Sequence, residues 1–138
     1  MSLQAQLSAT LTTGPGSSSD NPFPSGVTSI NFGLMPAAKN YSVATGAVVS
    51  MTNTVGFTAI DAIGTGGQVT QALTLLLRSP SSQVKVQLTC ADPAGGSDIV
   101  APVPLFGTML LEFPTNGYLK ALAIMGAAQI EYWAAGNQ

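Results

Sequence analysis

The sequence predicts an all-β protein, an antiparallel β-sandwich of the jelly-roll type with eight to nine strands. Three observations support this class. Apolar residues recur with a period of two rather than 3.6. Turn signals rich in Gly and Pro separate the short apolar runs. No window has the amphipathic pattern of a helix. Eight strands with long loops favour a jelly roll over an up-and-down barrel, while the pattern leaves the strand connectivity open.

The first strand is predicted over residues 3–12, where Leu and Ala alternate with Ser, Gln and Thr. The Gly-, Pro- and Ser-rich segment 14–26 suits neither a helix nor a central strand, because Pro lacks the N–H donor and Gly costs backbone entropy. Two arrangements follow. Residues 1–26 form an N-terminal arm whose residues 1–13 add a strand to a neighbouring subunit, or strand 3–12 pairs within its own sandwich.

By its length, the chain of residues 1–138 is predicted to be one domain. After the first strand it is predicted to continue as short strands. They are predicted at 27–34, 41–51, 55–60, 69–78, 83–90, 105–113, 118–125 and 128–134. Segment 101–104 contains two prolines and is expected at an edge or in a connection. A turn is predicted at 64–67, and Asn116-Gly117 predicts a tight hairpin at 114–117.

The composition argues against an enzyme. Only 7% of the 138 residues are charged, against about 25% in an ordinary soluble domain. The chain has no histidine, the commonest general base of hydrolytic sites. We therefore expect no catalytic residues and a surface suited to packing within a larger assembly. The four cations are scattered along the chain, so we expect no nucleic-acid binding.

No metal, cofactor or membrane partner is expected either. A lone Cys90 without histidine cannot supply a zinc site, and it continues the apolar face of its strand. Asp92 and Asp98 lie in a Gly/Pro loop, where carboxylates usually cap turns rather than bind calcium. The glycines at 64–67 lack the lysine of a phosphate-binding loop. No apolar run reaches about 20 residues, and the N-terminus lacks the pattern of a secretory signal.

The last strand supplies the candidate site. Ile130 and Tyr132 continue the core pattern, while the opposite face carries Gln129, Glu131 and Trp133. A Trp between polar neighbours on an outward face predicts a contact with a protein partner, since interface hot spots are enriched in Trp. The alternative is that the strand bulges near its end and turns Trp133 into its own core.

The second half of the chain, residues 69 to 134, contains four strand-like segments at 73–79, 84–89, 103–111 and 119–133. In their strand order and spacing, these segments resemble the small β-sandwich virion proteins of tailed bacteriophages. This class includes capsid decoration or cement proteins and tail-knob proteins. The resemblance implies a jelly-roll-like subunit without catalysis, located in the virion and commonly trimeric.

Two functions follow as expectations. The first is a decoration or cement protein that stabilises a capsid, with a homo-oligomer, most often a trimer, and the major capsid protein or another virion protein as partners. The second is a carbohydrate- or receptor-binding domain of a virion or tail fibre. Sugar sites stack aromatic rings on the sugar, and the sequence identifies no exposed aromatic pair.

Overall fold

A computed structural model describes residues 3–5, 8–12, 29–33 and 39–138, with side chains described from residue 40 onward. Every regular element in this part of the chain is a β-strand, so the predicted all-β class is confirmed. The strands are β1 (Leu3–Ala5), β2 (Ser8–Thr12), β3 (Ser29–Gly33), β4 (Lys39–Tyr41), β5 (Val43–Met51), β6 (Thr58–Gly64), β7 (Gln71–Cys90), β8 (Ile99–Glu112), β9 (Leu119–Met125) and β10 (Ala128–Asn137).

The N-terminal strands pair within their own chain. β1 pairs with β4, and β2 runs antiparallel to β3 with Ala9 opposite Phe32 and Leu11 opposite Ile30. The expected strand 3–12 is therefore found as two strands, neither of which joins the main sheet. The contacts divide the chain into one unit of Gln4–Asn40 and another of Met1–Leu3 with Tyr41–Gln138. Segment 14–26 lies outside the described residues, and the N-terminal arm stays a prediction.

β7 and β8 form one long, kinked antiparallel ribbon. β7 has 20 residues, and the sequence-based division into strands 69–78 and 83–90 is wrong. Between the pairs Ser79–Gly107 and Val84–Leu105, four residues of β7 lie opposite a single residue of β8. This bulge contains Pro80, and Gly107 of β8 has a φ of 91° at the same point. A bulge bends a strand without ending it.

The kink divides the main six-stranded sheet into two halves. The β5 half contains β5, β10, residues 71–79 of β7 and residues 107–112 of β8, all antiparallel. The β6 half contains β6, β9, residues 84–90 of β7 and residues 99–105 of β8. In the β6 half, a residue later in β7 stands opposite a residue earlier in β9: Val86 faces Ile124, and Leu88 faces Leu122. The whole sheet is nearly closed into a barrel.

One hydrophobic core draws on both halves. Alternation along each strand places every second side chain on the inner face. Leu75 and Ile130 come from the β5 half and Val86 and Ile124 from the β6 half, and all four are buried in one cluster. Cys90 packs against this cluster, as its place on the apolar face predicts.

Two predicted turns, one of them predicted as a hairpin, join strands that do not pair with each other. Gly67 N donates to Gly64 O at 2.9 Å, but β6 pairs with β9 rather than with β7 along its length. Gly117 N donates to Pro114 O at 3.0 Å, but β8 pairs with β7 and β9 pairs with β7 and β6. Both turns therefore carry the chain from one half of the sheet to the other.

Two boundaries also differ from the prediction. β6 begins at Thr58 instead of residue 55, because the Asn53 side-chain oxygen accepts hydrogen bonds from Val55 N and Gly56 N and holds a turn there. At Ser42 the backbone N–H bonds to Gly136 O, and β4 and β5 are separate strands. Ten strands result in the described residues, where eight to nine were expected.

Candidate interaction surface

Trp133 lies in an apolar row on the outer face of the β5 half. It stands opposite Gly46 in β5 and Leu76 in β7, and Leu76 in turn stands opposite Leu110 in β8. All three large side chains are half-buried. None belongs to the core cluster, whose β10 members are Ile130, Tyr132 and Ala134 on the other face. We call Trp133, Leu76 and Leu110 the Trp133 row.

Two neighbours of Trp133 fix one side of the indole. A Cβ at Gly46 would lie 3.4 Å from Trp133 Cδ1 and 2.9 Å from Tyr132 O. The absence of a side chain at Gly46 therefore avoids a close contact with the indole ring and the β10 backbone. The Tyr41 ring meets the indole edge-on, with centroids 6.2 Å apart and planes at 80°. Tyr41 is itself buried and shares a hydrogen bond with Thr74 Oγ1. The indole therefore packs against Tyr41 and next to Gly46 within its own chain.

Polar groups border the Trp133 row. Glu131 stands opposite Arg78, whose Nη1 donates to Glu131 Oε2 at 2.8 Å, with both side chains largely in solvent. Gln129 is exposed at the same face. The structure thus places the three predicted residues on one face of β10. An apolar centre with a polar rim is the usual arrangement of a protein–protein interface.

Sequence reasoning missed a second set of exposed apolar residues, along β8. Phe106 is 69% exposed and Val100 is 53% exposed. Leu105 is buried beside Phe106, so simple alternation through the predicted strand 105–113 would have placed Phe106 outside. The two prolines were predicted to mark an edge, and in the described sheet β8 pairs only with β7. That expectation is confirmed.

The carboxylates have structural partners. Asp92 accepts hydrogen bonds from Ala94 N and Gly96 N at 2.9 and 3.0 Å, which is the predicted turn cap. Asp98 instead binds Lys120 Nζ at 2.9 Å. This hydrogen bond raises the pKa of Lys120 above its ordinary value. Burial raises the pKa of the Cys90 thiol, which lowers its thiolate fraction and its reactivity.

No group of three or more Cys, Asp or Glu residues that could hold a metal ion occurs in the described part of the chain. A shallow depression of about 440 Å³ is lined by Ile60, Asp61, Thr65, Lys120 and Leu122 among others. Its lining has a single carboxylate, Asp61. In the same part of the chain, no helix has the length and apolar character required to cross a bilayer.

No family of known proteins, no curated protein and no solved structure matches the chain.

Proposed function

We propose that this chain is a non-enzymatic structural subunit of a phage particle, a decoration or cement protein that binds the outer surface of the capsid. Its partners would be copies of itself and the major capsid protein or another virion protein. The proposal rests on the order in which the strands join the sheet, and on the outer face that carries Trp133.

The strand order supports a jelly roll. Along the chain, each segment lies in the opposite half from the one before it, except that the second part of β7 and the first part of β8 both lie in the β6 half. The series begins with β5, β6, and the first and second parts of β7. The first and second parts of β8 follow, and β9 and β10 complete the series. The β5 half then has the order β5-β10-β7-β8, and the β6 half has β6-β9-β7-β8. Eight segments in two four-stranded faces around one core are the arrangement of a double Greek-key jelly roll. Viral capsid domains commonly use it.

The Trp133 row supports a role in assembly. It combines an indole packed against Tyr41 with two half-buried leucines on a sheet face that the core does not use. Each of the three side chains keeps part of its apolar surface in water. A homo-oligomer or a capsid contact through this face would bury it.

The decisive experiment uses the parent particle. Peptides of this chain should be found in purified virions, and electron microscopy should place it on the capsid exterior. Particles assembled without the chain should bind the purified protein and withstand higher temperature afterwards. A Trp133→Ala protein should bind less, whereas Val100→Ala, on another strand, should bind as wild type. Absence of the chain from purified virions would contradict the proposal.

A carbohydrate- or receptor-binding domain is the second candidate. It draws support from Phe106, which is 69% exposed next to the kink of the ribbon and offers a ring for stacking on a sugar. Lectin domains also use the jelly roll. A glycan array should then give hits that Phe106→Ala abolishes. An array without hits would remove this candidate and leave the structural role in place.

A further inference from the structure

β5 has a free edge without the usual protection against strand pairing. One side of Val43–Met51 pairs with β10, and no described strand pairs with the other side. The nine residues contain no charged side chain and no proline. Val48, near the middle, is 63% exposed. Natural sheets usually blunt such an edge with charge, proline or a bulge, because its unpaired N–H and C=O groups bind another strand.

The two edges of the β6 half are protected. Pro102 and Pro104 occupy alternate positions of β8, and proline is tolerated in a strand where its missing N–H would face solvent. Two donors are therefore missing from the outer edge of the β6 half. The opposite strand, β6, has the exposed Asp61 and a broken register between Ala59 and Gly64. In the β5 half, residues 107–112 of β8 form the other edge; they contain no proline, and their one charged residue, Glu112, lies at the end. Among the described residues of the main sheet, β5 is therefore the longer of two edges without internal charge or proline.

We propose that β5 pairs edge to edge with β5 of a second copy of this chain, antiparallel and about a two-fold axis. A second copy fits because two-fold pairing sets the strand against itself, and an uncharged strand opposes no like charges. The pairing joins two β5 halves into one continuous sheet. It does not depend on a virion location and goes beyond the assembly role proposed above.

The pairing also extends the candidate interaction surface. Trp133 lies on β10, one strand in from the free edge, and stands opposite Gly46 of β5. Joining two copies therefore brings two Trp133 rows onto one face, with two β5 strands between them. A trimer held at the Trp133 row and paired through β5 contains six copies. The assembly mass is therefore an even multiple of the 14.0 kDa chain mass.

Single cysteines test the pairing in the full chain, because Cys90 is its one native thiol. In a Cys90→Ser background, one cysteine is placed in turn at each position from 44 to 50. In two-fold antiparallel pairing one residue of β5 faces its own counterpart, with Cα atoms about 4.5–5.5 Å apart, within disulfide range. We expect one position to give a disulfide-linked dimer under mild oxidation. Val100→Cys in the same background is the control and should stay unlinked.

A charge at the edge gives a second, independent readout. Val48→Lys should halve the mass of the assembly in solution, whereas Val100→Lys, also at an exposed valine, should leave it unchanged. Circular dichroism should report the same fold for both variants. Failure of all seven cysteines to link, or an unchanged mass for Val48→Lys, would overturn the pairing. A mass of three copies without any linked position would also overturn it, and would leave the proposed capsid role standing.

Discussion

Trp133 and Tyr132 are neighbours with opposite surroundings. Tyr132 is 9% exposed and belongs to the core cluster, while Trp133 is half-buried on the outer face beside Tyr41. The alternative that the strand turns Trp133 into its own core does not match this placement. The register shift at the end of β10 falls between Ala135 and Gly136, beyond the tryptophan.

We expect Trp133→Ala to weaken self-association or capsid binding by about 2 kcal/mol or more, as at other buried aromatic anchors of interfaces. The isolated chain should remain folded, because its core is unchanged. Tyr132→Ala is the matched control and should lower the free energy of unfolding by about 3–5 kcal/mol, the usual cost of truncating a large core side chain. Sedimentation and denaturant unfolding measure the two effects. Unfolding of Trp133→Ala at low denaturant would contradict the interface role.

Gly64 and Gly107 both have positive φ, of 109° and 91°, but only Gly64 is crowded. A Cβ at Gly64 would lie 2.2 Å from Lys120 O, whereas a Cβ at Gly107 would meet nothing within 4 Å. We expect Gly107→Ala to lower the free energy of unfolding by about 1–2 kcal/mol, because alanine is disfavoured in the left-handed backbone conformation. Gly64→Ala should cost clearly more, because β6 must also move away from β9. Equal losses in thermal unfolding of the two variants would contradict this reading.

The thiol of Cys90 should react slowly. Because burial raises its pKa, less thiolate is present at any given pH than for an exposed cysteine. Its rate of alkylation should therefore be lower than that of a model peptide thiol at pH 8, and should still be rising with pH where the peptide rate has levelled off. A pH profile of iodoacetamide labelling measures both. Labelling as fast as the peptide would contradict the burial of Cys90.

The bulge between Ser79 and Val84 lets β7 supply strands to both halves of the sheet. Ser79 is fully buried, and its hydroxyl donates to Ser82 O at 2.6 Å across the extra residues of β7. The hydrogen bond holds the loop in a compact form at the kink. The ribbon can then supply strands to both halves of the sheet.

Ser79→Ala should lower the free energy of unfolding by about 1–3 kcal/mol, because it leaves a carbonyl at the kink without its donor. Ser81→Ala, at an exposed position of the same loop, should change it by less than about 0.5 kcal/mol. Urea unfolding of both variants gives the comparison. Equal stability of the two would show that the kink does not need this hydrogen bond.

At the scale of the whole molecule, the ion pairs found in the described part of the chain add little stability. The ion pairs in the described residues are Arg78–Glu131 and Lys120–Asp98, and all four side chains are 38–48% exposed. Exposed pairs of this kind are typically worth less than about 1 kcal/mol each. The stability of the described part of the chain therefore rests mainly on apolar packing and backbone hydrogen bonds.

We expect the thermal midpoint and the mass of the assembly to change little as ionic strength rises from low values to about 0.5 M, where the Debye length is only a few Å. Differential scanning calorimetry and light scattering across a sodium chloride series measure this. Dissociation at moderate salt would show that charge pairs hold the copies together, contrary to an apolar interface and an uncharged β5 edge.

Much of the local structure was predictable from the sequence. Alternation along 83–90 and 128–134 predicted strands and their buried faces, because the side chains of a strand point to opposite sides in turn. The same rule placed Trp133 with Gln129 and Glu131, and the two prolines of segment 101–104 predicted an edge. It did not single out β5, since an unprotected edge is recognised only once the strands that lack a neighbour are known.

By itself, then, the sequence determined the all-β class, the strand faces and the turns, because these depend on residues close together along the chain. Only the tertiary structure decided which strands pair. The turn at 114–117 favours a hairpin locally, yet β8 and β9 separate and pair with different parts of β7. Similarly, the bulge at Ser79–Val84 kept 71–90 one strand. In both cases the gain from burying side chains of both halves in one core outweighs the local preference, and that gain comes from residues far apart in the sequence.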